Sequence, residues 1–470
     1  MDESKVNSEE ISDALVSNLP SELFRVMQVI ASSHRDNAVY NEVQLVGDIV
    51  EIVSYSKKHF SINRRKAYQQ RRIWSHKDKD AFIEKLLKDE ATLDGIIVDL
   101  CASYGVQPKK AREALKSLAH AVLGNGDRNI SDNEILNKLV LMLRDLDDAP
   151  TIWKATVWLQ GIWVPGESVI CGDLILRQPT ADDLSGFVSQ TAHDFGFKLF
   201  EDHPSSILEF KHRSSKPSDV QREIERIIET LRLYRLGSVR AVRSSYRGET
   251  ILRASMASGY MLGNTRHTSE YSYDLGQSDA DHLQSFVVTM LPLVSRHPTD
   301  SSAVEPISMA LKRYREALLA GGAIESRIAL AISCLEALFL KAKERSELSH
   351  RLSQRAAALL KYANVPPVKA YRELVRAYDV RSTFVHGSPM ADEYAGQAGS
   401  LAETILEYAR LAIVIFMQTQ SSIGKDELIA KLESSLLEDK PREKIGSLMA
   451  GVVGMIRLPS AGESSSSLKS

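Results

Sequence analysis

The chain of 470 residues is poor in cysteine, and its three, Cys101, Cys171 and Cys334, lie far apart. There is no C-x-x-C pair and no Cys/His cluster at zinc spacing, so neither a disulfide framework nor a bound metal is expected. So sparse a set suits a reducing compartment, with each thiol serving as a small apolar core residue. Charge of one sign is lacking too. Lys+Arg 59 against Asp+Glu 61 leaves a net charge of -2, without the global basic signature of a nucleic-acid binder. The most apolar run, residues 411–417, falls well short of the roughly 18–20 residues that span a bilayer. No apolar segment of a secretion signal follows the polar, acidic residues 1–5. These absences predict a soluble cytoplasmic protein with no membrane partner. Gly-rich phosphate loops, a nucleophile elbow, an H-E-x-x-H motif and a kinase signature are missing as well, so nothing supports nucleotide hydrolysis or a resident cofactor.

What is present is ordinary globular sequence, 43% hydrophobic and 26% charged. Its length calls for roughly three domains. Residues 1–150 read as mostly helical, with apolar residues spaced at three and four in residues 81–87 and 111–118. Residues 151–300 change texture. Residues 153–160, 168–177, 206–211, 238–243 and 249–256 are β-branched or aromatic, or alternate apolar with polar. Two helical patterns interrupt them, at about residues 219–236 and 279–291, the second ahead of Pro292. Residues 301–425 read as a helical bundle, and 426–470 as short helices with a Ser-rich disordered tail. The expected fold class is α+β and multidomain, with a mixed, mainly antiparallel β domain in the middle and an all-α bundle at the end.

Within the bundle, apolar stripes run through Ile324, Ile328, Ile332, Leu335 and Phe339, then Leu348, Leu352, Ala356 and Leu359. A further helix after Pro366 and Pro367 turns Tyr371, Leu374, Val375 and Tyr378 inward and stops at Gly387. Three residues break the pattern. Arg381 is three beyond Tyr378, beside the apolar face, where a guanidinium needs a carboxylate or a phosphate. Glu336, four past Ile332, flanks its own helix's stripe. His386 is the last residue before the glycine stop, where helix carbonyls favour a cation.

Arg381-Ser382-Thr383-Phe384-Val385-His386 fits R-x-x-x-x-H, near the end of the penultimate bundle helix. With Leu335-Glu336-Ala337-Leu338-Phe339 and Glu347-Leu348-Ser349-His350-Arg351-Leu352, the last third of the chain resembles the HEPN superfamily. It looks like the ApeA-like branch of prokaryotic anti-phage defence proteins. The resemblance implies a metal-independent endoribonuclease that cleaves RNA through its own 2′-hydroxyl, a toxin-like effector of abortive infection. By that resemblance His386 is the general acid or base and Arg381 holds the scissile phosphate. Glu336 orients Arg381, and Ser382 stands where active members often carry Asn, Asp or His. A symmetric homodimer through this domain is also implied. On one ideal helix, residues five apart differ by about 140° in direction, so Arg381 and His386 do not share a face. Either the helix loosens near Gly387 or two protomers complete one cleft.

Other readings stand beside this one. Arg381 with Glu336 would equally make a buried ion pair, and His386 a helix-end histidine. Arg351 and Arg355 read first as a solvated face, with Glu347 and Arg351 an i,i+4 pair, and otherwise as lining of an RNA groove. In the N-terminal region, Lys57, Lys58, Arg64, Arg65, Lys66, Arg71, Arg72, Lys77 and Lys79 interleave with Phe60, Tyr68 and Trp74, a pattern that suits single-stranded RNA or tRNA or a solvated basic face. Trp153, Trp158 and Trp163 read as core, and residues 240–247 offer Arg240, Arg243 and Arg247 to an anionic ligand. Two alternatives to the nuclease follow: a non-catalytic scaffold for RNA or protein, and a sensor whose β domain binds a nucleotide signal. In the favoured reading the first 300 residues sense a phage-derived or nucleotide trigger or recruit RNA.

Overall fold

The computed structural model describes residues 21–37, 42–55, 60–72, 76–89, 92–123, 130–166, 168–180, 182–184, 204–253, 257–259, 271–297, 305–319, 322–387 and 396–453. The chain begins with α1 (Ser21–Asn37), a hairpin of β1 (Glu42–Tyr55) and β2 (Phe60–Arg72), then α2 (His76–Asp89), α3 (Leu93–Tyr104), α4 (Pro108–Leu123) and α5 (Asp132–Leu146). The helices enclose one core that includes Leu23, Met27, Ile83, Leu115, Leu118 and Leu139, supplied by apolar residues recurring every three or four positions. A capping box opens α5: Ser131 accepts from the Glu134 N–H, and the Glu134 carboxylate accepts from the Ser131 N–H.

The N-terminal region is mostly helical, as expected, and the hairpin is an addition to that expectation. Val43, Val46, Ile49, Val50 and Ile52 load β1 with branched side chains that favour extended backbone, and β2 pairs with it antiparallel almost throughout. Helical patterns on both sides hide this change of period in the sequence.

The middle of the chain holds β3 (Thr151–Gln160), β4 (Ile162–Trp163), β5 (Val169–Cys171), β6 (Leu174–Arg177), β7 (Ser206–Ser214), α6 (Pro217–Tyr234), β8 (Arg240–Gly248), β9 (Ala257–Gly259), β10 (Tyr273–Asp274) and α7 (Ala280–Val294). Six strands form one antiparallel sheet in the order β5-β6-β7-β3-β8-β9. Trp153, Ala155, Val157 and Leu159 alternate along β3 into the core that α6 covers with Ile224, Ile227 and Leu231. Trp153 and Trp158 are buried, as expected of core tryptophans, whereas Trp163, expected with them, is half-buried at the short β4 strand. Two expectations shift. Residues 249–253 form a turn rather than a strand, residues 254–256 lie outside the described residues, and α7 continues through Pro292 for its last turn. Proline is tolerated there because only one helical hydrogen bond is forfeited near an end.

The rest is helical: α8 (Pro306–Leu319), α9 (Ile324–Phe339), α10 (Leu348–Leu360), α11 (Pro367–Val385), α12 (Ala398–Thr419), α13 (Lys425–Ser435) and α14 (Asp439–Val453). One continuous hydrophobic core runs from Trp153 of the sheet through α12 to Val452 of α14. Arg410 on α12 ties the two parts: its Nη1 donates to the Leu233 carbonyl of α6 at 2.7 Å while Glu407 balances the charge. The N-terminal helices join the sheet differently. Ile251 and Leu252 of the β8–β9 turn pack on their core, and the buried Asp145 accepts from the Leu252 N–H at 2.7 Å and from the Thr250 hydroxyl. Among the described residues, no helix is long and apolar enough to cross a membrane.

Candidate functional site

The site is built where α11 crosses α9. Pro367 starts α11 with its φ preset, and Ala370, Leu374, Ala377 and Val380 bury one stripe of it. Tyr371, Val375 and Tyr378, expected to point inward, are only half-buried. The small alanines let the helix seat deeply, which leaves these larger residues along its rim.

Tyr378 and Arg381 reach across that rim to Glu336 of α9. Arg381 Nη2 donates to Glu336 Oε2 at 3.1 Å, and Tyr378 Oη donates to Oε1 at 3.0 Å. The guanidinium also lies over the Tyr378 ring, 5.4 Å from its centroid, a cation–π contact. Burial, and then the neighbouring Glu336, push the Tyr378 phenol up to about 12, so it stays a donor at neutral pH. Arg381 is 28% exposed and Glu336 19%, so the pair sits at the edge of solvent. Arg381 Nε is buried, with no hydrogen-bond partner among the described residues. An arginine tethered through one nitrogen beside an opening can take up an anionic oxygen.

His386 ends α11. Its N–H donates to the Ser382 carbonyl at 3.1 Å, the Gly387 N–H to Phe384 at 3.0 Å, and Gly387 takes the left-handed φ of +71° that favours glycine. The helix thus holds to its end and does not loosen before His386. The imidazole is exposed beside Val385, which is 60% exposed, and Ser382 is half-buried. Among the described residues, no hydrogen bond, ion pair or ring contact joins Arg381 to His386. Within one chain the two groups leave the helix in different directions, as their spacing requires.

Arg355 is not on a solvated face. Its side chain is 1% exposed, with Nη1 on the Phe339 carbonyl at 2.7 Å, a bidentate grip on Glu344, and Nε on Glu433 of α13 at 2.9 Å. These partners consume its donors, so it ties α9, α10 and α13 together and does not line a groove. The helical period that sets Arg355 beside Ala356 and Leu359 carried no sign of the two distant carboxylates. Arg351 remains partly exposed and pairs with Glu344 at 3.2 Å and with Glu347 at 3.5 Å, the expected i,i+4 bridge.

Most of the N-terminal basic residues fall on β2, and Lys77 and Lys79 on α2. Lys66 and Arg72 stand opposite Asp48 and Glu42, whereas Arg64, Arg65 and Arg71 stand opposite Val50, Ile49 and Val43. Lys57, Lys58 and Trp74 lie outside the described residues. In the sheet, Arg243 is buried with its guanidinium 4.9 Å from the Trp158 ring, and Arg240 Nε donates to Gln160 at 2.7 Å. Both are committed to the fold. Tyr378 as Glu336's second donor was legible only as a helical neighbour of Arg381. Among the described residues, no cluster of His, Cys, Asp and Glu could hold a metal ion. No known family, curated protein or solved structure matches the chain.

Proposed function

We propose that residues 301–425 are a HEPN-type bundle and that the chain is a metal-independent endoribonuclease, a cytoplasmic effector of anti-phage defence. The observation that carries this reading is the end of α11: Arg381 held at a solvent edge by Glu336, and an exposed His386 as the helix cap. In the resting chain Glu336 and Tyr378 position the guanidinium. RNA brings a phosphate that competes for it, and the donors turn to the phosphate oxygens as charge builds there. The 2′-oxygen attacks phosphorus and loses its proton to an imidazole, the bond to the 5′-oxygen breaks, and that oxygen takes a proton from the imidazolium or from water. The products are a 2′,3′-cyclic phosphate and a 5′-hydroxyl.

Because the two groups diverge within one chain, the reading takes Arg381 and His386 of one cleft from two facing chains of a symmetric homodimer. Exposed Val368 and Val385 on α11 suit such a contact. The N-terminal helices and the sheet then sense a phage-derived or nucleotide trigger or recruit RNA, with β2 offering Arg64, Arg65 and Arg71.

A second reading, a HEPN scaffold that binds RNA or protein without cutting, is favoured by Ser382 after Arg381 and by the closed Arg381–Glu336 pair. The deciding experiment incubates RNA with the purified wild-type, Arg381→Ala and His386→Ala chains and determines the end groups. Cyclic-phosphate ends from wild type alone support the nuclease. Cleavage undiminished in both variants rejects these residues. RNA binding without new ends favours the scaffold.

A further inference from the structure

About two turns before Tyr378 on α11, Tyr371 holds a second imidazole at the bundle surface. Tyr371 Oη and His350 Nδ1 of α10 are 3.0 Å apart, and the rings meet edge to face with centroids 6.0 Å apart and planes at 80°. His350 is exposed and Tyr371 half-buried. An exposed side chain gains little from burial, and fixing it costs conformational entropy. Here the fixing partner is anchored, so the imidazole presents its other edge to solvent in one orientation. In the tautomer in which the phenol donates to Nδ1, the ring proton sits on Nε2, an outward donor for an anionic oxygen.

The pair belongs to the same rim as the Arg381 site. Positions 371 and 378 fall within about 20° of one another around α11, at about 100° per residue, and Arg381 follows about 60° round from Tyr378. Tyr371 meets His350 of α10 and Tyr378 meets Glu336 of α9, so two tyrosines of α11, about two turns apart, hold the two groups. At about 1.5 Å per residue the separation from Tyr371 to Tyr378 is about 10 Å along the axis. That is about three nucleotides at a stacked rise of about 3.4 Å. Arg372 beside Tyr371 is exposed and adds positive charge.

We infer that His350 and Tyr371 form a subsite for a nucleotide of single-stranded RNA a few nucleotides along from the one at Arg381. His350 Nε2 donates to a phosphate oxygen, and the exposed ring face offers a base a surface to stack on. The identity of the ligand rests on the ribonuclease reading of α11.

The test measures fluorescence anisotropy of a labelled single-stranded RNA made uncleavable by 2′-O-methylation, titrated with the full wild-type, His350→Ala, His350→Gln and Tyr371→Phe chains. His350→Ala is expected to weaken binding about tenfold, the scale of one charge-assisted hydrogen bond, with unchanged circular dichroism. Glutamine, which keeps a donor, restores part of the loss, and Tyr371→Phe loses about threefold by freeing the imidazole. Equal binding by His350→Ala and wild type, or no binding by wild type, overturns the subsite. Cleavage of unmodified RNA separates the two ideas: His350→Ala raises KM with kcat retained. A wild-type chain that binds in a His350-dependent way but never cuts keeps the subsite and removes the nuclease.

Discussion

The carboxylate of Glu336 holds the guanidinium of Arg381 at 3.1 Å while its other oxygen takes the Tyr378 hydroxyl at 3.0 Å. Such a pair at a solvent edge contributes little to stability, about 1 kcal/mol or less, since Coulomb attraction there is screened and offset by ordering. Arg381→Ala should therefore shift the urea midpoint slightly and lower RNA cleavage about 100-fold or more, the scale of a lost oxyanion donor. A large drop in stability together with lost cleavage would mark Arg381 as a structural ion pair. Lysine at this position should not rescue, because it lacks the planar fork.

Arg355 predicts the reverse. Its removal takes from Glu344 and Glu433 their short ion pairs and from the Phe339 carbonyl its donor, at a side chain that is 1% exposed. Breaking one partner of a buried network costs about 3–5 kcal/mol, so Arg355→Ala should unfold at much lower urea. Arg351→Ala should stay within about 1 kcal/mol of wild type, as an exposed bridge does. Near-equal midpoints for the two variants would contradict the burial difference.

The helical framework was legible because apolar residues repeat at three and four; α9, α10 and α12 follow those stripes, whereas α11 buries Ala370, Leu374, Ala377 and Val380 in place of Tyr371, Val375 and Tyr378. Arg381 and Glu336 were legible for the same reason, as charges on the flanks of apolar stripes. Arg355 was not, because periodicity says which side of a helix a residue occupies and nothing about which carboxylate waits there. Glu344 arrives from the connection before α10 and Glu433 from α13. The β1–β2 hairpin was hidden because basic residues crowd β2 and obscure its alternation. Asp145 gave no sign of its role either, since its partners Thr250 and Leu252 stand on a turn more than a hundred residues away in sequence.

Two carboxylates make the chain acid-sensitive. The Arg355 hydrogen bonds draw Glu344 down from the ordinary 4.5 to about 2. At Glu305 burial works upward, but the His297 hydrogen bond and the N–H groups of Ser308 and Ile307 outweigh it and bring the carboxyl to about 2. A depressed folded value stabilises the native state above the unfolded value and ceases to do so as pH falls toward the folded one. The urea midpoint should therefore fall between pH 4.5 and about pH 2. Glu344→Gln and Glu305→Gln should each begin lower at pH 7 and fall less on acidification. Parallel curves for wild type and both variants would assign acid loss to other groups.

Asp145 should control how the N-terminal helices sit on the sheet. Its carboxylate is buried and accepts from Thr250 and Leu252, with Arg253 Nε 3.4 Å away. Asp145→Ala leaves the Leu252 N–H and the Arg253 charge without that acceptor, a loss of about 1–3 kcal/mol at this joint. Limited proteolysis should then cut faster near residues 147–150, the stretch between α5 and β3. Unchanged cleavage kinetics would mean that Ile251 and Leu252, with Arg253 on the Ala149 carbonyl, hold the joint without Asp145.

The divergence of Arg381 and His386 around α11 yields the sharpest test of the proposed nuclease. If each cleft takes Arg381 from one chain and His386 from its partner, neither single variant cuts alone. A mixed dimer of the two then retains one cleft with both groups. After unfolding and refolding together in equal amounts, half of the dimers are mixed and each carries one of its two sites. Cleavage should therefore return to about a quarter of wild type, the value symmetry dictates. If both groups act within one chain, every cleft in the mixture lacks one of them and no activity returns. Recovery that depends on co-refolding, and not on simple addition of folded variants, would place the reaction between two protomers.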